Sequence, residues 1–263
     1  MDIDDTRFEV RLAGTAEEIA AAQRLRYRVF VEEMGAKVSA EDHAAQLEQD
    51  QFDPYFDHLI LIDHARPVAE PRDQVIGVYR LMRGEAAAAG VGFYGASEYD
   101  LAPLVASGRK IVELGRSCVA APYRGGAAMH LMWNGLADYV LTRGIDLLFG
   151  VASFHGTDPR HYAQALSYLH QNHLAPADIR VRTQPDHFVD MNLLPPDQVS
   201  RKQAMLETPA LIKGYLRLGG FVGDGAYIDH GFNTVDICLI MDTARMTERY
   251  RSQYISRHGA GKS

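Results

Sequence analysis

The chain predicts an α/β fold of the α+β kind, a mixed sheet flanked by helices with an elaborated C-terminal segment, and three observations carry that prediction. Strand-like and helical segments alternate in the order β-α-β-β-β-α-β-α over the first two thirds. Within them, Glu113-Leu-Gly-Arg116-Ser-Cys-Val119 runs into Pro122-Tyr-Arg124-Gly125-Gly126-Ala127-Ala128, a strand entering a glycine turn and then a helix. A further apolar strand comes late, at 235–241, after a segment of different character. No repeat or linker divides the chain. The expectation is one domain over 1–263, with a core over 7–175 and an extension over 176–263 that completes the sheet and covers the site.

The elements follow in order. Residues 8–12 alternate like a strand, and Thr15-Ala-Glu-Glu18 is a capping box opening a helix that runs to Met34, where Gly35 stops it. Residues 36–57 are acidic and aperiodic, the profile of an irregular segment crossing a site. Strands are expected at 58–63 and 75–82, with a turn between them and a helix end or loop at 86–89. After the strand at 111–119, a helix over 127–142 shows apolar spacing at Ala128, Leu131, Met132, Leu136, Tyr139 and Val140. The apolar run 145–154 reads as a strand buried on both faces. Asp158-Pro159 opens another helix. Beyond 175 come a short strand at 179–183, a turn at Pro195-Pro196, a helix over 198–218 broken at Pro209, and a basic closing helix.

An apolar fraction of 47% in 263 residues is enough for a sizeable core. A formal net charge of −7 argues against nucleic acid as a partner. Cys118 and Cys238 lie in apolar strand-like runs, as buried thiols in a reducing compartment rather than a disulfide. The N-terminus lacks the basic-then-apolar order of a signal peptide, and no apolar run approaches the ~18 residues of a membrane span. A cytoplasmic protein is expected.

The chemistry concentrates in a few places. A glycine turn at a helix start exposes backbone N–H groups at the positive helix end, which suits a phosphate, although such turns also occur as plain turn chemistry. Glu113 and Arg116 place an ionisable pair beside it. Arg26 and Phe30 share a helix face. Glu48, Asp50 and Asp53 put three carboxylates within six residues, either a solvated acidic loop or a pocket for an amine. Arg80 lies amid apolar residues and needs a carboxylate partner if buried. Other signals are weaker. Gly115-x-Ser117 lacks the second glycine of a nucleophile elbow. Cys118 reads as core rather than an acyl-accepting thiol. His170 and His173 lack a third ligand, so no metal site is expected. Arg180, Arg182, Arg201 and Lys202 form a loose basic set, solvated or a landing place for an acidic carrier protein or anionic headgroups.

In order, Arg26-x-x-x-Phe30, Asp50-x-x-Asp53, Arg80 and Glu113-x-x-Arg116 resemble the acyl-homoserine-lactone synthases, which have the GCN5-related N-acetyltransferase fold with a mostly antiparallel sheet. The Trp that those enzymes carry soon after the Phe is missing here, and a long C-terminal portion is added. That portion, 208–220 and 229–237, together with 113–119 and 152–158, resembles the ornithine N-acyltransferases of ornithine-lipid synthesis over roughly residues 8–245. The turn resembles the superfamily's pyrophosphate loop, with Ala127 and Met129 where glycines usually stand. Those losses hinder close approach of a diphosphate and favour the single phosphodiester of acyl carrier protein over coenzyme A.

The resemblance implies an N-acyltransferase domain with no tightly bound cofactor. Its co-substrate is the acyl-phosphopantetheine of acyl carrier protein, its acceptor L-ornithine. It implies direct attack of the amine on the thioester, with Glu113 as base, Arg116 orienting it, and backbone N–H groups near Cys118 and Val119 stabilising the oxyanion. Arg26 or Arg80 would hold the ornithine carboxylate, and Glu48, Asp50 or Asp53 its side-chain ammonium. Arg124, Gly125, Gly126 and Ala127 would hold the phosphate, with Ser153 and Phe154 lining the pantetheine or acyl channel. A 3-hydroxylated long acyl chain is expected, giving lyso-ornithine lipid. That amphipathic product would bring the protein into transient contact with the inner membrane, through the apolar segment 205–221. A signal synthase, an enzyme for another amino acid and a non-catalytic carrier- or lipid-binding module are the alternatives.

Overall fold

The computed structural model describes residues 7–68 and 71–245. In chain order its strands are β1 (Phe8–Leu12), β2 (Asp57–Asp63), β3 (Val75–Arg83), β4 (Tyr99–Asp100), β5 (Ile111–Val119), β6 (Leu147–His155), β7 (Arg182–Thr183), β8 (Phe221–Asp229) and β9 (Thr234–Asp242). The α-helices are α1 (Ala16–Arg26), α2 (Ala40–Ala45), α3 (Gly84–Ala89), α4 (Ala102–Val105), α5 (Ala128–Arg143), α6 (Ala163–His173), α7 (Arg201–Glu207) and α8 (Ala210–Arg217). The chain organises into two compact units, each drawn from several segments. One comprises 1–94, 112–144 and 230–233; the other comprises 95–111, 145–229 and 234–263. Neither ends at residue 175, because the two units interleave along the sequence.

The first unit holds an antiparallel sheet ordered β1-β2-β3-β5. β2 and β3 are buried almost end to end, so Leu59, Ile60, Leu61, Ile76, Val78 and Leu81 form its core. Helix α1 packs on β2 and β3, and α5 packs on β1, β2 and β3. Thr15 caps α1 by accepting the Glu18 N–H, as the capping box predicts. Helix α5 passes so close to β1 that a Cβ at Gly135 would fall 2.3 Å from the Val10 side chain. That contact requires glycine.

The second unit orders its strands β6-β9-β8-β7-β4, antiparallel except for β7 against β8. The late apolar strand lies at its centre: β9 pairs with β6 over nine residues, from Leu147↔Asp242 to His155↔Thr234. On β4, the Tyr99 O–H donates to the Asp236 carbonyl at 2.9 Å, tying that short strand to β9.

Several sequence expectations change. The first helix stops being α-helical after Arg26 and continues to Glu33 in the wider π geometry, over the bulky run Tyr-Arg-Val-Phe-Val. The segment 36–57 is not wholly irregular, since Ser39 caps α2, a helix without a buried residue and so without apolar periodicity to announce it. Residues 84–89 are a helix. The strand expected over 179–183 shrinks to β7. β8, over 221–229, was not anticipated, and its run Gly223-Asp224-Gly225 is poor in strand-forming residues. Gly225 takes φ +87 inside the strand, where the register shifts between Val222 and Ala226. The break at Pro209 holds, separating α7 from α8. The closing basic helix lies outside the described residues. Among the described residues, no helix is long and apolar enough to cross a membrane.

Candidate active site

The site residues of the first unit are organised by a bulge in β5. Arg80 pairs with Gly115 and Val78 with Cys118, so Tyr79 alone faces Arg116 and Ser117. Arg116 adopts φ +51, the left-handed region that a long side chain rarely enters. In an unbroken strand, residues 113 and 116 would point to opposite faces. The bulge cancels that alternation. Glu113, buried, accepts the Tyr94 N–H at 2.8 Å, and the Arg116 guanidinium lies 4.7 Å from the centre of the same Tyr94 ring.

Arg116 also stacks 4.3 Å from the Phe232 ring, which meets Phe30 edge-on at 6.0 Å. Its ion pairs run to Glu48 (3.0 Å) and Asp50 (3.4 Å). Arg116 thus reaches the acidic segment, while the Glu113 carboxylate accepts from the Tyr94 amide. The cause is the bulge, which turns Arg116 toward the acidic segment.

That segment closes a ring of charge. Arg26 pairs with Glu48 and with Asp53 (2.7 Å); Arg80 pairs with Asp53 (2.6 Å) and Asp50 (2.7 Å); Arg116 returns from Asp50 to Glu48. Three guanidiniums and three carboxylates alternate, and each carboxylate bridges two arginines. Arg26 and Arg80 are 0% exposed, Glu48 2% and Asp53 6%. Burial pushes the Glu48 carboxyl upward, but Arg116 and Arg26 outweigh it and hold the group at about 2. Asp53 is depressed in the same way against its burial, by Arg26 and Arg80. Burial alone would lower Arg26, yet Glu48 and Asp53 raise it. Gln23 donates to Asp53 at 2.9 Å, and Arg80 stacks 4.3 Å from the Phe56 ring centre.

The acidic cluster is thus a buried framework rather than a solvated loop. The arginines expected to take a substrate carboxylate, and the carboxylates expected to take its ammonium, answer one another inside the protein.

At the turn after β5, Gly125 takes φ +77 with open space where a Cβ would stand. Helix α5 begins with Ala127 at its N-cap and no side-chain cap, leaving first-turn N–H groups for an anion. The residues present fit a phosphate. Arg124 braces the turn, donating to the Val119 carbonyl at 2.8 Å and pairing with Glu33 at 2.7 Å. Tyr123 donates to the buried Asp63 at 2.7 Å. Cys118 is buried, and that burial pushes its thiol up to about 12. Ser153 and Phe154 belong to β6 in the second unit. Ser153 is exposed, whereas Phe154 is fully buried with its ring 4.8 Å from that of Tyr162.

Sequence reasoning missed Tyr94 and Phe232, the aromatic contacts of Arg116. Neither sits in a periodic element, and Phe232 was visible only as one residue of the stretch 229–237.

Residues 25–134 match the family model described as an acetyltransferase (GNAT) domain. The chain is 53% identical over 250 residues to the L-ornithine N(alpha)-acyltransferase of Rhodobacter capsulatus, covering 95% of each chain. It is 45% identical to the Brucella abortus protein of the same name, over 94% of this chain and 88% of that one. In fold it resembles FeeM, an N-acyl amino acid synthase from uncultured soil microbes, with a TM-score of 0.50 at 15% identity over 90% of this chain and 92% of that one. With identities of this size over nearly its whole length, the chain belongs to the L-ornithine N(alpha)-acyltransferase family of N-acyltransferases, which carry the GNAT fold.

Proposed function

We propose that this protein transfers a long-chain, 3-hydroxylated acyl group from acyl carrier protein to the α-amine of L-ornithine, forming lyso-ornithine lipid. The observation that carries the acceptor is the 53% identity, over 95% of both chains, to a protein named for that acylation. The α-amine nitrogen attacks the thioester carbonyl, the C–N bond forms, and the C–S bond breaks to release the carrier thiol. A free α-amino group is largely protonated near neutral pH, so a base must take its protons. Glu113 is the base in this reading, held by the Tyr94 N–H so that its carboxylate keeps one orientation. The strand end at Cys118 and Val119 would supply backbone N–H groups to the developing oxyanion.

The donor assignment rests on the turn. Gly125 leaves room and the uncapped start of α5 offers N–H groups, yet Ala127 and Met129 stand where two glycines would admit a diphosphate. A pantetheine phosphodiester asks for less room. The reaction would take place in the cytoplasm, with the product handed to the inner membrane surface.

Purified protein given a 3-hydroxyacyl carrier protein and ornithine should release free thiol. Replacing carrier protein with acyl-CoA should lower the rate sharply; equal rates would overturn the donor assignment. Glu113→Gln should reduce kcat by about 10²-fold or more, the usual worth of a positioned base. A variant within a few-fold of wild type would remove Glu113 from that role.

A further inference from the structure

Residues 199–218 of the second unit carry cations that acyl transfer does not use. Arg201, Lys202, Lys213 and Arg217 stand there against a single carboxylate, Glu207, in a chain whose formal net charge is −7. Among the described residues none of the four pairs with a carboxylate, whereas Arg109, Arg160, Arg182 and Arg245 in the same unit all do. Glu207 is engaged elsewhere, accepting the Ala165 N–H and the Gln203 side-chain amide, both at 3.1 Å.

Local packing turns this charge outward. Ala204, Ile212, Tyr215 and Leu218 are buried, so the apolar residues expected to meet a membrane over 205–221 largely line the core. Leu206 is the exception, at 69% the most exposed large apolar side chain among the described residues. Lys202 lies one turn before it on the same exposed face of α7. Lys213, one turn before Arg217 on α8, donates its ammonium to the Met205 carbonyl at 3.1 Å, which sets its charge beside Leu206. A groove beside Arg201 has Tyr168, Gln171, Asn172 and Asn192 in its lining and no carboxylate that would repel a phosphate.

We infer that this face, Leu206 among the cations of α7 and α8, docks on an anionic phospholipid surface. Charge and extent select that occupant. A protein interface is built around a buried apolar core, and here one leucine stands alone among charges. A bilayer surface asks for less: phosphate oxygens for the cations, and the acyl boundary for one apolar side chain. Attachment through so few contacts is reversible. The inference rests on the reading above for its purpose, the delivery of an amphipathic product by an enzyme that returns to soluble substrates.

Co-sedimentation of the full chain with vesicles tests the face. Wild type should bind phosphatidylcholine vesicles that contain phosphatidylglycerol, bind phosphatidylcholine alone about tenfold less tightly, and let go as salt is added. Lys202→Gln and Arg217→Gln should each weaken binding about fivefold, the worth of one cation at such a surface. Leu206→Ser should weaken it about tenfold through the lost apolar contact. All three positions are exposed, so the variants should fold and keep their thiol release in the absence of vesicles. Equal binding to both vesicle types, or variants that bind as wild type does, would overturn the face. So would variants that keep their vesicle binding while thiol release comes to need more carrier protein, because an acidic protein would then be the occupant. Vesicle binding lost in the variants of a protein that releases no thiol with ornithine would overturn the acyl-transfer reading and leave the docking face standing. Thiol release without vesicle binding would do the reverse.

Discussion

Among the described residues each unit gathers three carboxylates, and the two groups are built differently. In the first unit Glu48, Asp50 and Asp53 alternate with Arg26, Arg80 and Arg116, so six charges close a ring of zero net charge. In the second unit carboxylate oxygens of Glu98, Asp229 and Asp236 lie within 4.8 Å of one another, Asp229 and Asp236 on one face by strand register. A balanced ring holds itself and offers little to a charged ligand. A group of carboxylates gathered by strand register takes its spacing from the backbone. Counting carboxylates in the sequence favours the first cluster as the amine pocket. The structure shows each of those three carboxylates already shared between two arginines.

The largest expected effect separates them directly. Asp53→Asn strips one member from the ring and leaves Arg26 and Arg80 facing each other without their shared partner. Breaking a buried pair in this way costs about 3–5 kcal/mol, or a melting temperature lower by about 10 °C for a chain of this size. Asp236→Asn exchanges one carboxylate of the other cluster for a neutral amide of the same shape, so its melting temperature should fall by less. Equal losses in the two variants, read by thermal unfolding in one buffer, would mean that both clusters are structural frameworks and would end the contrast.

Acid should find the ring next. Glu48 and Asp53 have folded-state values below their unfolded ones, near 2 for Glu48 against about 4.3 for a free glutamate. The Glu48 contribution is therefore complete above about pH 4.3 and is lost as pH falls through about 2, and that of Asp53 is lost in the same direction. Denaturant titrations should show stability falling steeply below pH 4, with the slope flattened in an Asp53→Asn variant that still folds. An unchanged slope would mean that the ring is not what acid titrates.

Much of this was legible in the sequence, and the remainder has a physical cause. Alternation marked β1, strand-like runs marked β2, β3 and β5, and Thr15 with Glu18 marked the start of α1. The ring's six members were all singled out, because charged residues in apolar or motif-like surroundings are conspicuous. Their pairing was not legible. It depends on the β5 bulge, and nothing in Glu-Leu-Gly-Arg announces that Arg116 takes a positive φ and turns to Tyr94. β8 was hidden by the very glycine, Gly225, that makes its bulge possible. Glu98 meets Asp229 and Asp236 across more than 130 residues of chain, so no local spacing could have joined them.

The smallest expected effect lies beside the ring. Burial dominates the Cys118 thiol, while Arg26 lowers it and Glu48 raises it, so the two ring charges oppose each other there. A thiol held at about 12 has almost no thiolate at neutral pH and cannot carry an acyl group. Cys118→Ala should accordingly keep thiol release within about threefold of wild type and cost ~1 kcal/mol of stability from lost packing. The native protein should resist iodoacetamide at this position, and intact-mass spectra under turnover should show no acyl adduct. An adduct that disappears in Cys118→Ala would replace direct attack by a two-step transfer. It would also show that the ring is poised to ionise its neighbour rather than to leave it neutral, which is the property that most sharply divides a balanced cluster from one of a single sign.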